Sequence, residues 1–310
     1  MTGYLLRRAL HALLVLLIVT LAAFLLIHMV PGDPVRITLG AHAPPEAVQR
    51  VRHQLGLDES LMHQFGSFLA GLPRGDLGTS INLQQPVRDI IGPRIWPSVF
   101  LLVYGTLISL LVAVPLGVLS ALYRNRPADH GIRVVATVGL AMPSFWFALL
   151  LVEAFSIHLS WLPVAGYGEG FVEHLKSLTL PAITVGIYLA PLIIRTLRSS
   201  LIETLGADFV TSARARGFAE SRVVGKHALR NSLIATITIL AINIGFLISW
   251  TVVIESVFAI PGLGSLLVSS IQARDFPTIS ALTLIFGVLV IFVNLIADLS
   301  YAIVDPRIRL

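Results

Sequence analysis

Cysteine is missing from this chain and charge is scarce. With no Cys there is no disulfide framework, no thiol chemistry and no Cys-based metal site. Only 13% of the 310 residues are Asp, Glu, Lys or Arg, against about 25% in a soluble globular domain. A water-soluble fold of this length would need a charged skin, and the chain cannot make one. Phosphate-binding and hydrolytic signatures are lacking too. No GxxxxGK[ST] occurs to cradle ATP phosphates, and no HExxH or GxSxG points to a zinc or serine hydrolase. No internal repeat and no low-complexity tract is found.

Apolar sequence fills the space left by charge. Hydrophobic residues make up 55% of the chain. A helix needs about 20 apolar residues to cross about 30 Å of hydrocarbon. Six stretches free of Asp, Glu, Lys and Arg reach that scale: Ala9–Gly32, Ile95–Tyr123, Val134–Val152, Ser177–Ile194, Asn231–Ile254 and Phe276–Ala297. In lipid the backbone must satisfy its own hydrogen bonds, so these runs predict helices. A membrane barrel would alternate apolar and polar residues over about 10 positions, whereas these runs are apolar throughout. Arg7 and Arg8 before the first run resemble the start of a signal peptide, but its 24 residues exceed the about 7–15 of a signal core. It is read as a retained span.

The formal net charge of +5 does not point to nucleic acid, because the basic residues flank apolar runs and do not cluster on a polar background. They set an orientation instead. With the N-terminus in the cytoplasm, 14 of the 22 basic residues lie on cytoplasmic pieces, among them Arg124, Arg126, Arg133, Arg195, Arg198, Arg214, Arg216, Arg222, Lys226 and Arg230. Lys176 and Arg274 stand alone in short outer loops. Six spans return the C-terminus, with Arg307 and Arg309, to the cytoplasm. The expected organisation is a first helix over 1–32, an outer segment over 33–94, five helices over 95–304 with a basic loop over 197–230, and a tail over 305–310. In the outer segment, Pro44-Pro45 before Glu46 predicts a helix start, with Val48, Val51 and Leu55 on one face.

The basic loop is too patterned for a tether. Ala207 to Gly217 predicts a short helix, with Asp208 suited to its start and Gly217 to its end. Phe209 and Ala213 fall on one face beside Val210. Glu220 and Ser221 suit the start of a second helix running through Val223, Val224 and His227. Such a helix–Gly–helix can dock a partner, with Phe209 filling a pocket and arginines pairing with carboxylates. It can equally lie on anionic lipid, and spacing alone leaves both open.

Asp208-Phe209-Val210-Thr211-Ser212-Ala213-Arg214-Ala215-Arg216-Gly217, followed by His227-Ala228-Leu229-Arg230-Asn231-Ser232-Leu233, resembles the cytoplasmic signature of ABC importer permeases, in particular the dipeptide/oligopeptide/nickel branch. Pro31-Gly32-Asp33-Pro34, Leu55-Gly56-Leu57-Asp58, Gly75-Asp76-Leu77-Gly78, Pro143-Ser144-Phe145-Trp146, Trp161-Leu162-Pro163, Glu255-Ser256-Val257-Phe258, Pro261-Gly262-Leu263-Gly264 and Asp305-Pro306-Arg307-Ile308-Arg309 extend the likeness along the whole chain in order. Thr211-Ser212-Ala213 stands where other branches have Glu-Ala-Ala, and Arg230 stands where they have Pro; both departures fit the peptide/nickel branch.

That resemblance implies an all-α type I importer transmembrane domain in a bacterial or archaeal inner membrane. It implies a pathway built with a second homologous permease (a heterodimer), two ATPase subunits and an outer substrate-binding protein. ATP and Mg would be used by the ATPases, and no cofactor by this chain. Asp208, Phe209, Val210, Thr211, Ala213, Arg214, Arg216 and Gly217 would form the coupling helix that docks an ATPase. Short peptides are the implied cargo, with nickel, a metal chelate or a glutathione-like peptide as alternatives. An ion-coupled secondary transporter would show mid-span charges or inverted repeats; a membrane anchor or receptor would not need the patterned loop.

Other residues stay open between two readings. Glu153 and Glu255, at the ends of apolar runs, would line an outer gate with Pro143 and Phe145, or would be interfacial carboxylates reaching headgroup water. Asp298 is expected to pair with a basic neighbour. Pro115, Pro143, Pro181 and Pro191 would kink their helices, or simply reflect the frequency of Pro in membrane helices. His42, His53, His63, His158 and His174 form no ligand-like spacing and read as scattered surface residues. Trp96, Trp146, Trp161 and Trp250 read as interface or packing residues.

Overall fold

The computed structural model describes residues 2–29, 34–40, 43–54 and 56–304. Among them the regular structure is helical, with no strand and only a single bridge between Thr79 and Pro86. In chain order, α1 spans Thr2–Met29, α2 Pro34–Leu39, α3 Pro45–Gln54 and α4 Leu61–Gly71. Next come α5 at Val87–Leu122, α6 at Pro127–Ala141 and α7 at Ser144–Leu151, which continues as a π-helical turn, Val152–His158. The basic loop begins near the end of α8, Phe171–Leu205. It holds α9, Asp208–Ala215, and α10, Glu220–Arg222. A π-helical turn at Val223–Ala228 then leads into α11, Leu229–Val257. Two further helices, α12 at Leu263–Ala273 and α13 at Phe276–Val304, complete the described chain.

The six apolar runs fall on α1, α5, α6–α7, α8, α11 and α13, but not all as straight rods. By length and composition α5, α8 and Phe276–Ile296 of α13 can each cross a membrane unaided, and α1 contributes a shorter apolar stretch, Leu10–Leu26. The run over α6–α7 is broken, its two halves meeting at 104°. The cause is Pro143, which bars the preceding residue from helical dihedrals; Met142 sits at ψ 132°. Pro181 and Pro191 do not act that way, since α8 passes through both as one helix and both are buried. Of these prolines, Pro143 breaks its run, whereas Pro181 and Pro191 leave α8 continuous.

Contacts divide the chain into two units, residues 1–98 with 261–291 and residues 99–260 with 292–310. The first unit gathers Val87, Ile90 and Ile91 of α5 around Leu263 and Leu266 of α12 and Ala281 and Leu282 of α13. Here α12 is an element the apolar-run reading did not anticipate, because its eleven residues are too few to span. Asp275 opens α13. Buried, it accepts hydrogen bonds from the Ile81 backbone N–H at 3.0 Å, from Thr278 Oγ1 at 2.7 Å and from Ser80 Oγ. One carboxylate therefore ties the first turn of α13, through the Thr278 hydroxyl, to the 80–81 loop. In the 33–94 segment α3 starts with Pro45 as expected and buries Val48; Leu55 lies outside the described residues.

The second unit is built around α8. Of its apolar stretch 72% is buried, against 28% for α5. Leu178, Leu180, Leu189 and Ile193 of α8 pack with Leu101 of α5, Ala148 and Leu151 of α7, and Leu247 and Ile254 of α11. Close approach of α5 to α8 depends on Gly105: a Cβ there would lie 2.7 Å from Val185 Cβ, so only a hydrogen fits. Trp250 stacks on Tyr188 with ring centroids 4.4 Å apart, a packing role.

Candidate docking site

The Ala207–Gly217 segment folds into α9 as its sequence predicts, with changes of detail. Ala207 is the N-cap, in extended geometry and without a side-chain cap bond. Asp208 is therefore the first helical residue, where its charge favours the positive end of the helix dipole. Gly217 follows at φ +78° and its N–H donates to the Arg214 carbonyl at 2.9 Å. A Cβ at Gly217 would meet nothing within 4 Å, so the left-handed backbone alone requires glycine there.

One side of α9 is an anchor and the other is free. Val210 and Ala213 are buried in a small cluster with Val223, and Leu205 packs against it. Ala213 lies one turn on from Phe209, as expected, but this cluster covers it, so it is not free to meet a partner. Ala213 faces inward, while Phe209 is 46% exposed. Asp208, Thr211, Ser212 and Arg216 are exposed as well. Arg214 departs from expectation as well. It forms a bidentate pair with Glu220 of its own chain, Nη2–Oε1 at 2.7 Å and Nε–Oε2 at 3.1 Å. The Glu220 carboxylate raises the Arg214 guanidinium further above its ordinary pKa. Arg214 thus ties α9 to α10 and is already matched by a carboxylate. The expected second helix is not separate either: α10 passes through the π-helical turn directly into α11. On that turn His227 stacks on Phe218 with ring centroids 5.9 Å apart, and the Arg222 guanidinium lies over the same Phe218 ring, 5.9 Å from its centroid.

Sequence reasoning missed a buried ion pair beneath this region. Asp129, fully buried near the start of α6, accepts Arg198 Nε at 2.7 Å and Nη2 at 2.6 Å from α8. Ser120 Oγ of α5 donates to the same carboxylate at 2.6 Å, and the Asn125 backbone N–H does so at 2.9 Å. Arg133 Nε stands 3.7 Å away. Four donors around one carboxylate lock α5, the turn after it, α6 and α8 together. The local signal was an Asp two residues after Pro127, at a helix start; its partner, 69 residues on, left no local mark.

The expected outer-gate residues do not gather into one site. Pro143 and Phe145 are exposed at the break between α6 and α7. Glu153 is exposed on the π-helical turn, 3.6 Å from His158. Glu255, by contrast, is wholly buried, which corrects the reading of it as a carboxylate reaching headgroup water. His53 lies 2.7 Å from Asp58, His63 lies 3.1 Å from Glu59, and His174 Nδ1 lies 3.0 Å from the Tyr167 carbonyl. No group of three His, Asp or Glu able to hold a metal gathers among the described residues. His42, Asp305 and the side chain of Asp298 lie outside the described residues.

Two family descriptions match this chain. "Binding-protein-dependent transport system inner membrane component" covers residues 113–310, and its N-terminal counterpart covers residues 1–95. The chain belongs to this family of inner-membrane permeases. Relatives in the family include the glutathione transport system permease protein GsiC of Escherichia coli O6:H1, 37% identical over 309 residues, which cover 100% of this chain and 99% of the relative. GsiC of Escherichia coli K12 and of Shigella dysenteriae serotype 1 match to the same extent. Among solved structures, an inward-facing conformation of the MetNI methionine ABC transporter aligns at a TM-score of 0.59 with 16% identity, over 70% of this chain and 96% of that one. At that identity the likeness speaks for the type I importer fold alone. The permease is thus an all-helical, multi-pass inner-membrane component of an ABC importer, a transport and not an enzymatic part, and such components work with ATPase and binding-protein partners.

Proposed function

We propose that this permease moves short peptides inward and that a separate ATPase grips it through α9. One observation carries the docking assignment: α9 is held to its own chain by Val210, Ala213 and the Arg214–Glu220 pair, and it leaves exposed Phe209, an aromatic able to fill a partner's pocket, together with Asp208, Thr211 and Arg216. A large aromatic presented on a braced helix is a typical anchor of an interface. In this reading α9 and the 197–230 loop face the cytoplasm, as do both termini, because basic residues concentrate there. ATP and Mg belong to two partner ATPases. A second, homologous permease completes the pathway as a heterodimer, and an outer binding protein hands over cargo to the 33–94 segment. The five helices over 95–304 carry the transport unit, and Pro143, Phe145, Glu153 and Glu255 stand toward its outer end. Dipeptides and oligopeptides are the cargo this reading favours. A glutathione-like peptide is the second reading, supported by the glutathione transport of the relatives.

The docking assignment is tested in proteoliposomes holding the complete transporter. Phe209→Asp places a charge in the pocket meant for a ring, and Gly217→Pro forces a negative φ and deletes the N–H that caps α9. Either is expected to lower ATP-dependent uptake about ten-fold or more, with normal membrane insertion. Full uptake by either variant means that the ATPase docks elsewhere. Competition of labelled dipeptide uptake by glutathione distinguishes the two cargoes.

A further inference from the structure

Between α6 and α8 in the second unit lies an amphiphilic cleft that neither the docking site nor the buried ion pair accounts for. Its polar end is lined by Arg133, Arg195, Arg198, Thr137 and Ser199. Three guanidiniums gather there against one carboxylate, Asp129, which holds Arg198 in a bidentate pair. Arg133 and Arg195 are exposed, so positive charge is left over at the mouth. Beyond Ala136, Pro191 and Ile194, which line both parts, the cleft opens into an apolar cavity of about 480 Å3. That volume falls within the about 300–1,000 Å3 of small-molecule sites. Its walls are Ile, Val, Leu, Ala, Gly and Phe, with Ser109 as the one polar side chain, and Ser109 already donates to the Gly105 carbonyl at 2.8 Å. The apolar part therefore offers almost no polar group, and the charged side chains lining the mouth, all arginines, are donors.

We infer that this cleft holds an anionic membrane phospholipid, its phosphate at Arg133 and Arg195 and an acyl chain in the apolar cavity. Position agrees with chemistry. Arg195 follows directly on the charge-free run Ser177–Ile194, which places it where headgroups begin when α8 spans the bilayer. Guanidinium forks suit phosphate oxygens, and basic pockets between membrane helices recruit anionic headgroups. An apolar peptide would bring no anion to Arg195 or to Arg133, whose carboxylate at 3.7 Å, Asp129, is already held by Arg198, and a free phosphate would leave the apolar cavity unfilled. The inference is independent of α9 and of the cargo.

Native mass spectrometry of the full-length chain released from nanodiscs tests it, with phosphatidylglycerol and phosphatidylcholine at equal amounts. Wild type is expected to retain phosphatidylglycerol preferentially, and Arg133→Gln with Arg195→Gln to lower that preference roughly ten- to thirty-fold. Gly131→Leu supplies a second variant that keeps both arginines. A Cβ at Gly131 meets nothing within 4 Å and the residue lines the apolar cavity, so leucine fills the space of the acyl chain while improving helix propensity. It too is expected to lower retention. Equal retention of both lipids, wild-type retention by both variants, or complete displacement of the lipid by inorganic phosphate overturns the inference. So does cross-linking that finds Val135 covered by a second permease.

Discussion

At the level of single residues, Asp129 has the greatest structural reach. Its carboxylate is buried and satisfied only because Arg198, Ser120 and Asn125 converge on it. Removing one partner of such a pair leaves an uncompensated buried charge, which costs about 3–5 kcal/mol. Asp129→Ala is therefore expected to lower the thermal midpoint of the purified chain markedly. Replacing both partners, with Asp129→Leu and Arg198→Met, is expected to cost less than Asp129→Ala alone, because no charge is stranded. A double variant less stable than the single would mean that the pair contributes more than mutual neutralisation. Gly217 shows the opposite kind of dependence. Nothing crowds it; its backbone geometry alone excludes other residues. Gly217→Ala is thus expected to cost about 1 kcal/mol, far less than Gly217→Pro, with uptake graded in the same order.

Among the elements, α8 organises its unit, and the α5–α8 contact is the place to test that. Val185 of α8 occupies the space a side chain at position 105 of α5 would need. Gly105→Ala is expected to destabilise by about 1–3 kcal/mol through overpacking. Val185→Ala, added to it, should recover part of the loss. Thermal unfolding of the two single variants and the double closes the cycle, and strict additivity would show that the helices do not meet there. The broken α6–α7 pair and the unbroken α8 differ although each contains proline. At Pro143 the preceding Met142 is extended, whereas Pro181 and Pro191 are embedded in the core of α8 and the helix persists. Packing can hold a helix through a missing hydrogen bond; proline content alone does not say which outcome follows.

For the whole molecule, the division of labour is the testable statement. The chain carries no phosphate-cradling loop, and the proposed handle α9 is exposed on one side only. Purified alone, it is expected to hydrolyse no ATP in a phosphate-release assay; turnover by the isolated chain would refute the assignment of the motor to separate subunits.

The apolar runs determined the helices by themselves, because a long stretch without charge can satisfy its backbone in lipid only as a helix. The contiguous Asp208–Gly217 motif likewise determined α9, its dipole-favoured start and its left-handed stop, since caps and dihedrals are local. Tertiary structure decided the rest. Whether Ala213 or Phe209 turned inward depended on Val223 being there to receive Val210 and Ala213. That Arg214 is matched by Glu220, that Glu255 is buried and that Asp129 meets Arg198 across 69 residues are results of helix packing. Burial and charge pairing belong to surfaces brought together from distant parts of the chain, and no local pattern encodes which surfaces will meet.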